Sequence, residues 1–153
     1  MRMRVTAAAL ALTALGLSGA AYAQARGWSY AYTGGVATAT HHDEDGDVTA
    51  TMTCRPPDGV LTITDFTFNR AARNVETATV SIGQMSINVP AESEGRGRRA
   101  RVMVPLPQSP PILAAVQPED ALSVTVNGTT HSYGARSGRQ MADVAYACWA
   151  GGS

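Results

Sequence analysis

The sequence predicts a mainly β, α+β fold: a single domain with a curved or barrel-like antiparallel sheet and a C-terminal helix tied by one disulfide. Three observations support this prediction. Short runs rich in Thr, Val and Ile alternate in polarity and are separated by turn-forming residues. The hydrophobic period lengthens from two residues to helical spacing after Ser137. The chain also has two cysteines, Cys54 and Cys148, which allow a single pairing.

Residues 1–23 are predicted to be a signal peptide. A short basic start precedes an uncharged apolar run, and Ala21-Tyr22-Ala23 supplies the small-x-small pattern of a cleavage site, so we expect cleavage after Ala23. The alternative is an uncleaved membrane anchor, but the run is only mildly apolar and barely long enough to span a bilayer. Residues 24–153 would then form one exported β-rich domain, periplasmic or secreted, without a transmembrane segment.

The charge balance argues against nucleic-acid binding. The chain has 12 basic and 12 acidic residues, and every basic residue is an arginine. Removal of Arg2 and Arg4 with the signal peptide leaves ten arginines against the 12 acids, so the exported form would be slightly acidic. General nucleic-acid binding needs a basic surface. Guanidinium groups suit carboxylates and phosphates, although a codon bias toward Arg is the simpler explanation for the absence of Lys.

The first predicted hairpin surrounds Asp45-Gly46, a favoured two-residue loop. This loop sets a register in which one face is apolar and the other is mostly threonine. The apolar face carries four opposed pairs: Ala37 with Cys54, Ala39 with Met52, His41 with Ala50, and Asp43 with Val48. Cys54 should therefore point into the core, where a disulfide would cross it.

Three aromatic residues, Trp28, Tyr30 and Tyr32, precede this hairpin at a spacing of two. A bulge at Gly34-Gly35 would change the phase of the strand and turn the three rings inward as part of the core. The alternative is that the rings form a platform for a ligand or a carbohydrate.

Two further hairpins are predicted from their turn residues. Gly83-Gln84 fits a type II′ turn and sets Val80 opposite Ile87. Asn127-Gly128 fits a type I′ turn and sets Val124 opposite His131, which places this histidine beside apolar neighbours.

The segments between the hairpins are less regular. Residues 61–63 and 66–68 alternate out of phase, which predicts one strand with a bend or bulge. Residues 102–104 predict a short strand that stops at Pro105, since proline cannot donate to a ladder. Residues 112–116 predict one or two helical turns, and residues 92–101 predict an exposed loop.

The C-terminal segment is predicted to be a helix over residues 138–150. Ser137 and Gln140 match a capping box, and an inner stripe at helical spacing follows. That stripe consists of Met141, Val144, Ala145 and Cys148. The competing prediction is a strand with Cys148 inward. In either case Cys148 should pair with Cys54, because an even cysteine count in an exported protein indicates a disulfide.

The stretch HHDEDGD (residues 41–47) is a candidate metal site. A calcium loop with Gly46 at its sixth position would need a bidentate acid at its twelfth, where Met52 stands, so the calcium pattern fails. A transition metal would need His41 and Asp43 from one strand face, with His131 as the remaining imidazole. The simpler interpretation is a solvated hairpin tip.

A cluster of arginines is a candidate site for an anion or a protein partner. Forked guanidinium groups in a pliable, glycine-containing loop suit phosphates and carboxylates. The cluster consists of Arg96, Arg98, Arg99 and Arg101. The alternative is a solvated loop that Glu92 and Glu94 partly neutralise.

No sequence motif identifies a catalytic centre. The stretch GARSG (residues 134–138) lacks the spacing of a nucleophile elbow, and Ser137 is better explained as a helix cap. The sequence therefore favours a small exported, non-enzymatic binding or envelope-interaction module without a cofactor. Its partner would be an envelope protein, a glycan or an anionic ligand. The alternative is a small envelope hydrolase or metal-binding enzyme that uses His41, Asp43 and His131.

Mass spectrometry of the exported protein should find Gln24 as its first residue and both cysteines oxidised, because signal cleavage precedes disulfide formation outside the cytoplasm. A mature form that keeps Met1, or one with two free thiols, would contradict this layout.

Overall fold

A computed structural model describes residues 26–56, 59–97, 100–107 and 111–150. The predicted signal peptide at residues 1–23 lies outside these residues. Within them the chain forms ten strands: β1 (Gly27–Thr33), β2 (Val36–His42), β3 (Val48–Cys54), β4 (Leu61–Asp65), β5 (Thr77–Ile82), β6 (Met85–Pro90), β7 (Glu92–Glu94), β8 (Arg101–Leu106), β9 (Leu122–Val126) and β10 (Thr129–Ser132). The helices are a 3₁₀ turn (Asn69–Ala72), α1 (Pro111–Ala114) and α2 (Ser137–Ala150).

The strands form two antiparallel sheets. The six-stranded sheet has the order β1-β2-β3-β4-β8-β7, and the four-stranded sheet has the order β10-β9-β5-β6. The mainly β fold with a C-terminal helix is confirmed. The expected single curved or barrel-like sheet is not what forms: in the described part of the chain, the two sheets stay separate and neither closes into a barrel. The separation arises because β4 pairs with the distant β8, while β5 pairs with β6 and β9.

The registers predicted for the three hairpins are confirmed. Ala37 lies opposite Cys54, Val80 opposite Ile87, and His131 opposite Val124. The first hairpin differs at its tip, because the register shifts between His41 and His42. The connection is therefore longer than two residues, and the side chain of Asp43 organises it by accepting hydrogen bonds from the backbone N–H groups of two following residues.

Gly34-Gly35 forms a hairpin turn rather than the predicted bulge. Both glycines have positive φ, as a type I′ turn requires, and β1 folds back on β2 with Trp28 opposite His41. The three aromatic residues of β1 thus share the face of the core alanines of β2. Because β1 is the edge strand, however, Tyr30 and Tyr32 remain 41% and 55% exposed.

Three other local predictions are wrong. The exposed loop predicted for residues 92–101 is shorter, because residues 92–94 form β7 and pair with β8. Residues 66–68 do not continue the strand, since the chain leaves β4 after Asp65 and enters the 3₁₀ turn. Pro105 does not stop β8 but pairs with Thr62 inside it. Because β7 pairs only with Arg101–Met103, the missing N–H of Pro105 costs no ladder bond on that side of β8.

One row of residues crosses the inner face of the six-stranded sheet and carries its polar groups. Trp28, His41, Ala50, Asp65 and Val102 lie opposite one another on successive strands. Directly opposed residues of an antiparallel ladder point to the same face. The two neighbouring inward rows on β2, β3, β4 and β8 are buried and apolar. The row through Asp65 therefore brings three polar side chains to one end of the core.

Helix α2 packs against this inner face and confirms the helix prediction. It contacts β1, β2, β3 and β4, and it buries Met141, Val144 and Ala145. Cys148 forms a disulfide with Cys54 on β3, with 5.6 Å between their Cα atoms. In the described ranges no helix combines the length and the apolar character needed to cross a bilayer.

The predicted capping box at the start of α2 is wrong. The first backbone N–H groups of the helix donate instead to carbonyls of the loop that joins α1 to β9: Gly138 to Asp120 at 3.0 Å and Arg139 to Pro118 at 3.1 Å. This loop approaches so closely that a Cβ atom on Gly138 would lie 2.0 Å from the carbonyl oxygen of Gln117. Backbone carbonyls thus replace the side-chain cap.

Replacement of Gly138 by alanine should therefore destabilise the protein, although alanine normally stabilises a helix interior by about 1 kcal/mol relative to glycine. The added methyl group must displace the loop, at a cost of about 1–3 kcal/mol. Urea denaturation would measure the change. In the control Ala142→Gly, at an exposed position of α2, only helix propensity should be lost. A Gly138→Ala variant as stable as the parent would show that the loop does not cap the helix.

Candidate functional site

The main candidate site is a cleft of about 530 Å³ at the N-terminal end of α2, which we call the tryptophan cleft. Its walls come from β1, from β2, and from the connection between β10 and α2. The lining side chains are aromatic, basic and polar: Arg26, Trp28, Tyr30, His41, Tyr133, Arg136, Arg139, Gln140 and Asp143. Rigid strands and the first turns of a packed helix therefore supply most of the surface.

Trp28 forms a fixed part of the cleft wall. Its indole N–H donates to the backbone carbonyl of Tyr133 at 3.1 Å and to the hydroxyl oxygen of Ser137 at 3.0 Å. Ser137 is fully buried, and its hydroxyl donates to the carbonyl of Gly134 at 2.7 Å. The ring also packs edge-on against Tyr133, with 6.0 Å between centroids. These contacts hold the indole in one orientation.

His41 contributes a neutral polar edge to the cleft. Its Nδ1 lies 2.6 Å from the hydroxyl of Thr49, and its ring lies 5.1 Å from that of Trp28. Burial lowers the pKa of His41 below its ordinary value of 6.5, and the neighbouring His42 lowers the pKa further. His41 is therefore uncharged at pH 7 and adds no positive charge to the site.

A hydrogen-bond network around Asp65 supports the base of the cleft. The carboxylate is buried, at 1% exposure, and it accepts bonds from the backbone and hydroxyl of Thr67 at 2.6 and 2.7 Å. The hydroxyl of Tyr133 also donates to it, and Nδ1 of His131 lies 3.1 Å away. Phe68 stacks on His131, with 4.0 Å between ring centroids. Four partners compensate for the burial of the charge.

Tyr133 joins the network to the cleft. Its ring lines the cleft, while its hydroxyl is bonded to Asp65 on the core side. Burial raises the pKa of Tyr133 far above its ordinary value of 10.0, and the charge and hydrogen bond of Asp65 raise it further. The phenol therefore stays protonated and serves as a fixed donor.

Three arginines, Arg26, Arg136 and Arg139, line the cleft without compensating partners. In the described part of the chain, no ion pair or hydrogen bond engages their guanidinium groups. Asp143 is the acidic residue of the lining, so positive charge predominates. Arg136 adopts a positive φ of 70° just before α2, at the point where the chain turns into the helix.

Gln140 gives the cleft an unsatisfied acceptor. Its side-chain Oε1 is buried, and no described residue donates a hydrogen bond to it. A buried acceptor without a partner costs about 1–3 kcal/mol. A donor from a bound molecule or a water would remove this cost.

Each candidate metal residue is engaged by partners of its own. His41 bonds to Thr49, Asp43 organises its own turn, and His131 bonds to Asp65 and Thr67. Among the residues that the structure describes, no group of three or more His, Cys, Asp or Glu side chains is placed to hold a metal ion. The expected ligand set therefore has no geometric support.

The two described members of the candidate arginine cluster, Arg96 and Arg101, have different surroundings. Arg101 bonds to Glu94 across the β7–β8 pair, with 3.0 Å from its Nε to the carboxylate. Arg96 lines a second cleft, of about 730 Å³, that shares no residue with the first. Arg98 and Arg99 lie outside the described residues.

Sequence reasoning missed most of the tryptophan cleft. The arginines that line it are far apart along the chain, and no local pattern connects Arg26 with Arg139. Asp65 did leave a trace in the sequence. Within the alternation of β4 it occupies the same face as Leu61 and Ile63, and an acid at an inward position requires buried partners.

No protein-family model, no curated protein and no solved structure matches this chain. The residues of the clefts and of the Asp65 network are therefore the basis for inferring its function.

Replacement of Tyr133 by phenylalanine should cost about 1–3 kcal/mol of stability at pH 7, because it removes a donor from a buried carboxylate. The raised pKa of Tyr133 gives the effect a pH dependence. Its contribution is complete below pH 10, the ordinary pKa, and is lost as the pH rises above 10 and the unfolded chain ionises.

Denaturation curves at pH 7 and at pH 11 would measure this difference between parent and variant, which should shrink at the higher pH. The control Tyr146→Phe, at an exposed position, should change stability little at either pH. A difference for Tyr133→Phe that is independent of pH would show that the phenol does not act as this donor.

Proposed function

We propose that the protein is an exported, non-enzymatic module that binds an anionic, ring-containing ligand in the tryptophan cleft. The observation that carries this proposal is the presence of three arginines without ion-pair partners beside an anchored indole ring.

The arginines favour a ligand that carries an acid group. Guanidinium groups bind carboxylates and related oxyanions through paired hydrogen bonds, and those of Arg26, Arg136 and Arg139 are not engaged by neighbouring acids. Asp143 disfavours a ligand of high negative charge, because it would repel a second or third anionic group. A singly charged acid therefore suits the lining best.

The aromatic residues favour a ring in the ligand. Trp28 presents a fixed indole, and Tyr30 beside it on the edge strand is 41% exposed. Apolar ring faces gain by leaving water when another ring or a sugar covers them. Around this surface, the uncharged side chains of His41 and Gln140, together with the carboxylate of Asp143, offer hydrogen-bonding groups for ligand hydroxyls.

The architecture supports binding more than catalysis. His41 and His131 direct Nδ1 toward Thr49 and Asp65, and the described residues contain no grouped metal donors of the kind that the enzyme alternative needs. The disulfide supports the export part of the proposal, because disulfides persist in oxidising compartments.

The proposal is tested by titration of the protein with matched acid and neutral probes, followed by NMR or calorimetry. D-Glucuronate and D-glucose form one pair, and benzoate and benzyl alcohol form the other. We expect the acid of at least one pair to bind in the millimolar range or tighter, and its neutral partner to bind much more weakly. Added salt should weaken binding, since exposed charges are screened.

In the same titrations, Arg136→Gln and Arg139→Gln should each weaken binding about tenfold, which corresponds to about 1.4 kcal/mol. Arg55→Gln removes an exposed arginine outside the cleft and should leave affinity unchanged. Failure of both acids to bind, or an equal effect of Arg55→Gln, would refute the proposal.

A further inference from the structure

The second cleft lies between the segment that follows β4 and the loop that joins β7 to β8. Asn69 and residues 72–74 form one wall, and Ser93, residues 95–97 and Ala100 form the other. We call it the arginine cleft because Arg73 and Arg96 are the charged residues of its described lining. It is the larger of the two clefts, at about 730 Å³ against about 530 Å³.

Its chemistry differs from that of the tryptophan cleft. Among the described residues, the lining contains neither an aromatic ring nor a carboxylate, and its polar side chains are Asn69, Asn74 and Ser93. An aromatic or sugar ring would therefore find no stacking surface. A compact group with several negative oxygens would meet only positive and neutral side chains.

The acidic residues of β7 do not neutralise this cleft. Ser93, the middle residue of β7, lines the cleft, and successive residues of a strand point to opposite faces. Glu92 and Glu94 are therefore directed away from the face that carries Ser93. Glu94 is moreover bonded to Arg101. The sequence suggested that these acids partly neutralise the arginine loop. In the structure, Glu94 neutralises Arg101 and not Arg96.

The guanidinium groups of Arg73 and Arg96 have no acidic partner in the described ranges. The backbone at Arg73 is held in place, because the side chain of Asn127 donates to its carbonyl oxygen at 3.0 Å. Asn127 belongs to the turn between β9 and β10, so the four-stranded sheet fixes one wall of the cleft. The positive charges of Arg73 and Arg96 are therefore uncompensated, and the backbone that carries Arg73 is fixed.

We propose that the arginine cleft binds a phosphate group, as a free phosphate or as the phosphodiester of an anionic lipid headgroup. Arginine forks match the tetrahedral oxygens of phosphate, and the amide and hydroxyl groups supply further donors. The absence of a carboxylate from the described lining distinguishes this site from the tryptophan cleft, where Asp143 opposes a dianion. The two sites would thus take different classes of anion.

The experiment uses two probes that separate the two sources. Inorganic phosphate is titrated into the protein by NMR, and sedimentation measures binding to vesicles of phosphatidylglycerol, with phosphatidylcholine vesicles as the neutral reference. Binding of phosphate alone identifies a free phosphate ligand. Binding to phosphatidylglycerol vesicles, with or without free phosphate, identifies the headgroup. No binding of phosphate at tens of millimolar and none to either vesicle overturns the proposal.

Variants locate the site. Arg73→Gln and Arg96→Gln should each weaken binding of the active probe about tenfold, and the double variant should abolish it. Both side chains are exposed, so the thermal midpoint should stay unchanged and report intact folding. Arg139→Gln is the matched control and should leave this binding unaffected. An effect of Arg139→Gln as large as that of Arg96→Gln would show that phosphate binds in the tryptophan cleft or nonspecifically, and would overturn the assignment.

Discussion

The covalent bond between Cys54 and Cys148 is the constraint on which the rest of this structure depends. It closes a loop with a sequence separation of 94, for which the chain-entropy model gives about 4–5 kcal/mol. That amount is a large share of the net stability of a small domain. The bond also fixes where α2 lies, since β3 is a central strand of the six-stranded sheet. With its last turns held there, α2 has little freedom to leave the sheet, and its first turns can line a cleft.

The opposite end of α2 is held by noncovalent contacts that serve both the fold and the site. Loop carbonyls cap the helix at Gly138, while the hydroxyl of Ser137 accepts the indole N–H of Trp28 across 109 residues of sequence. Residues 136–139 therefore begin the helix, anchor the indole ring of Trp28 and place Arg136 and Arg139 at the edge of the cleft. The geometry of the cleft follows from helix docking and does not need a separately ordered loop.

The local parts of the fold could be predicted from the sequence, because a hairpin register depends on turn residues and a period of two. The pairing of Ala37 with Cys54 and of His131 with Val124 follows from such patterns alone. The division into two sheets could not be predicted, since the pairing of β4 with β8 leaves no local trace. The same limit applies to the sites. Cys54 and His41 were placed correctly on the inner face, whereas the joint positions of Arg26, Arg136 and Arg139 depend on how distant elements meet.

The hydrogen bonds of Asp65 explain why the core tolerates polar side chains at one end. A buried carboxylate without partners would be strongly destabilising, yet hydrophobic packing alone would not hold Tyr133 at a fixed depth. The hydrogen bond from Tyr133 to Asp65 orients this ring, against which Trp28 and His41 both pack edge-on. The network thus has a structural role that reaches the cleft through ring contacts. This explains how the polar row of the core can end at the cleft: the charge of Asp65 stays buried and hydrogen-bonded, and it reaches the cleft wall through the rings of Tyr133, Trp28 and His41.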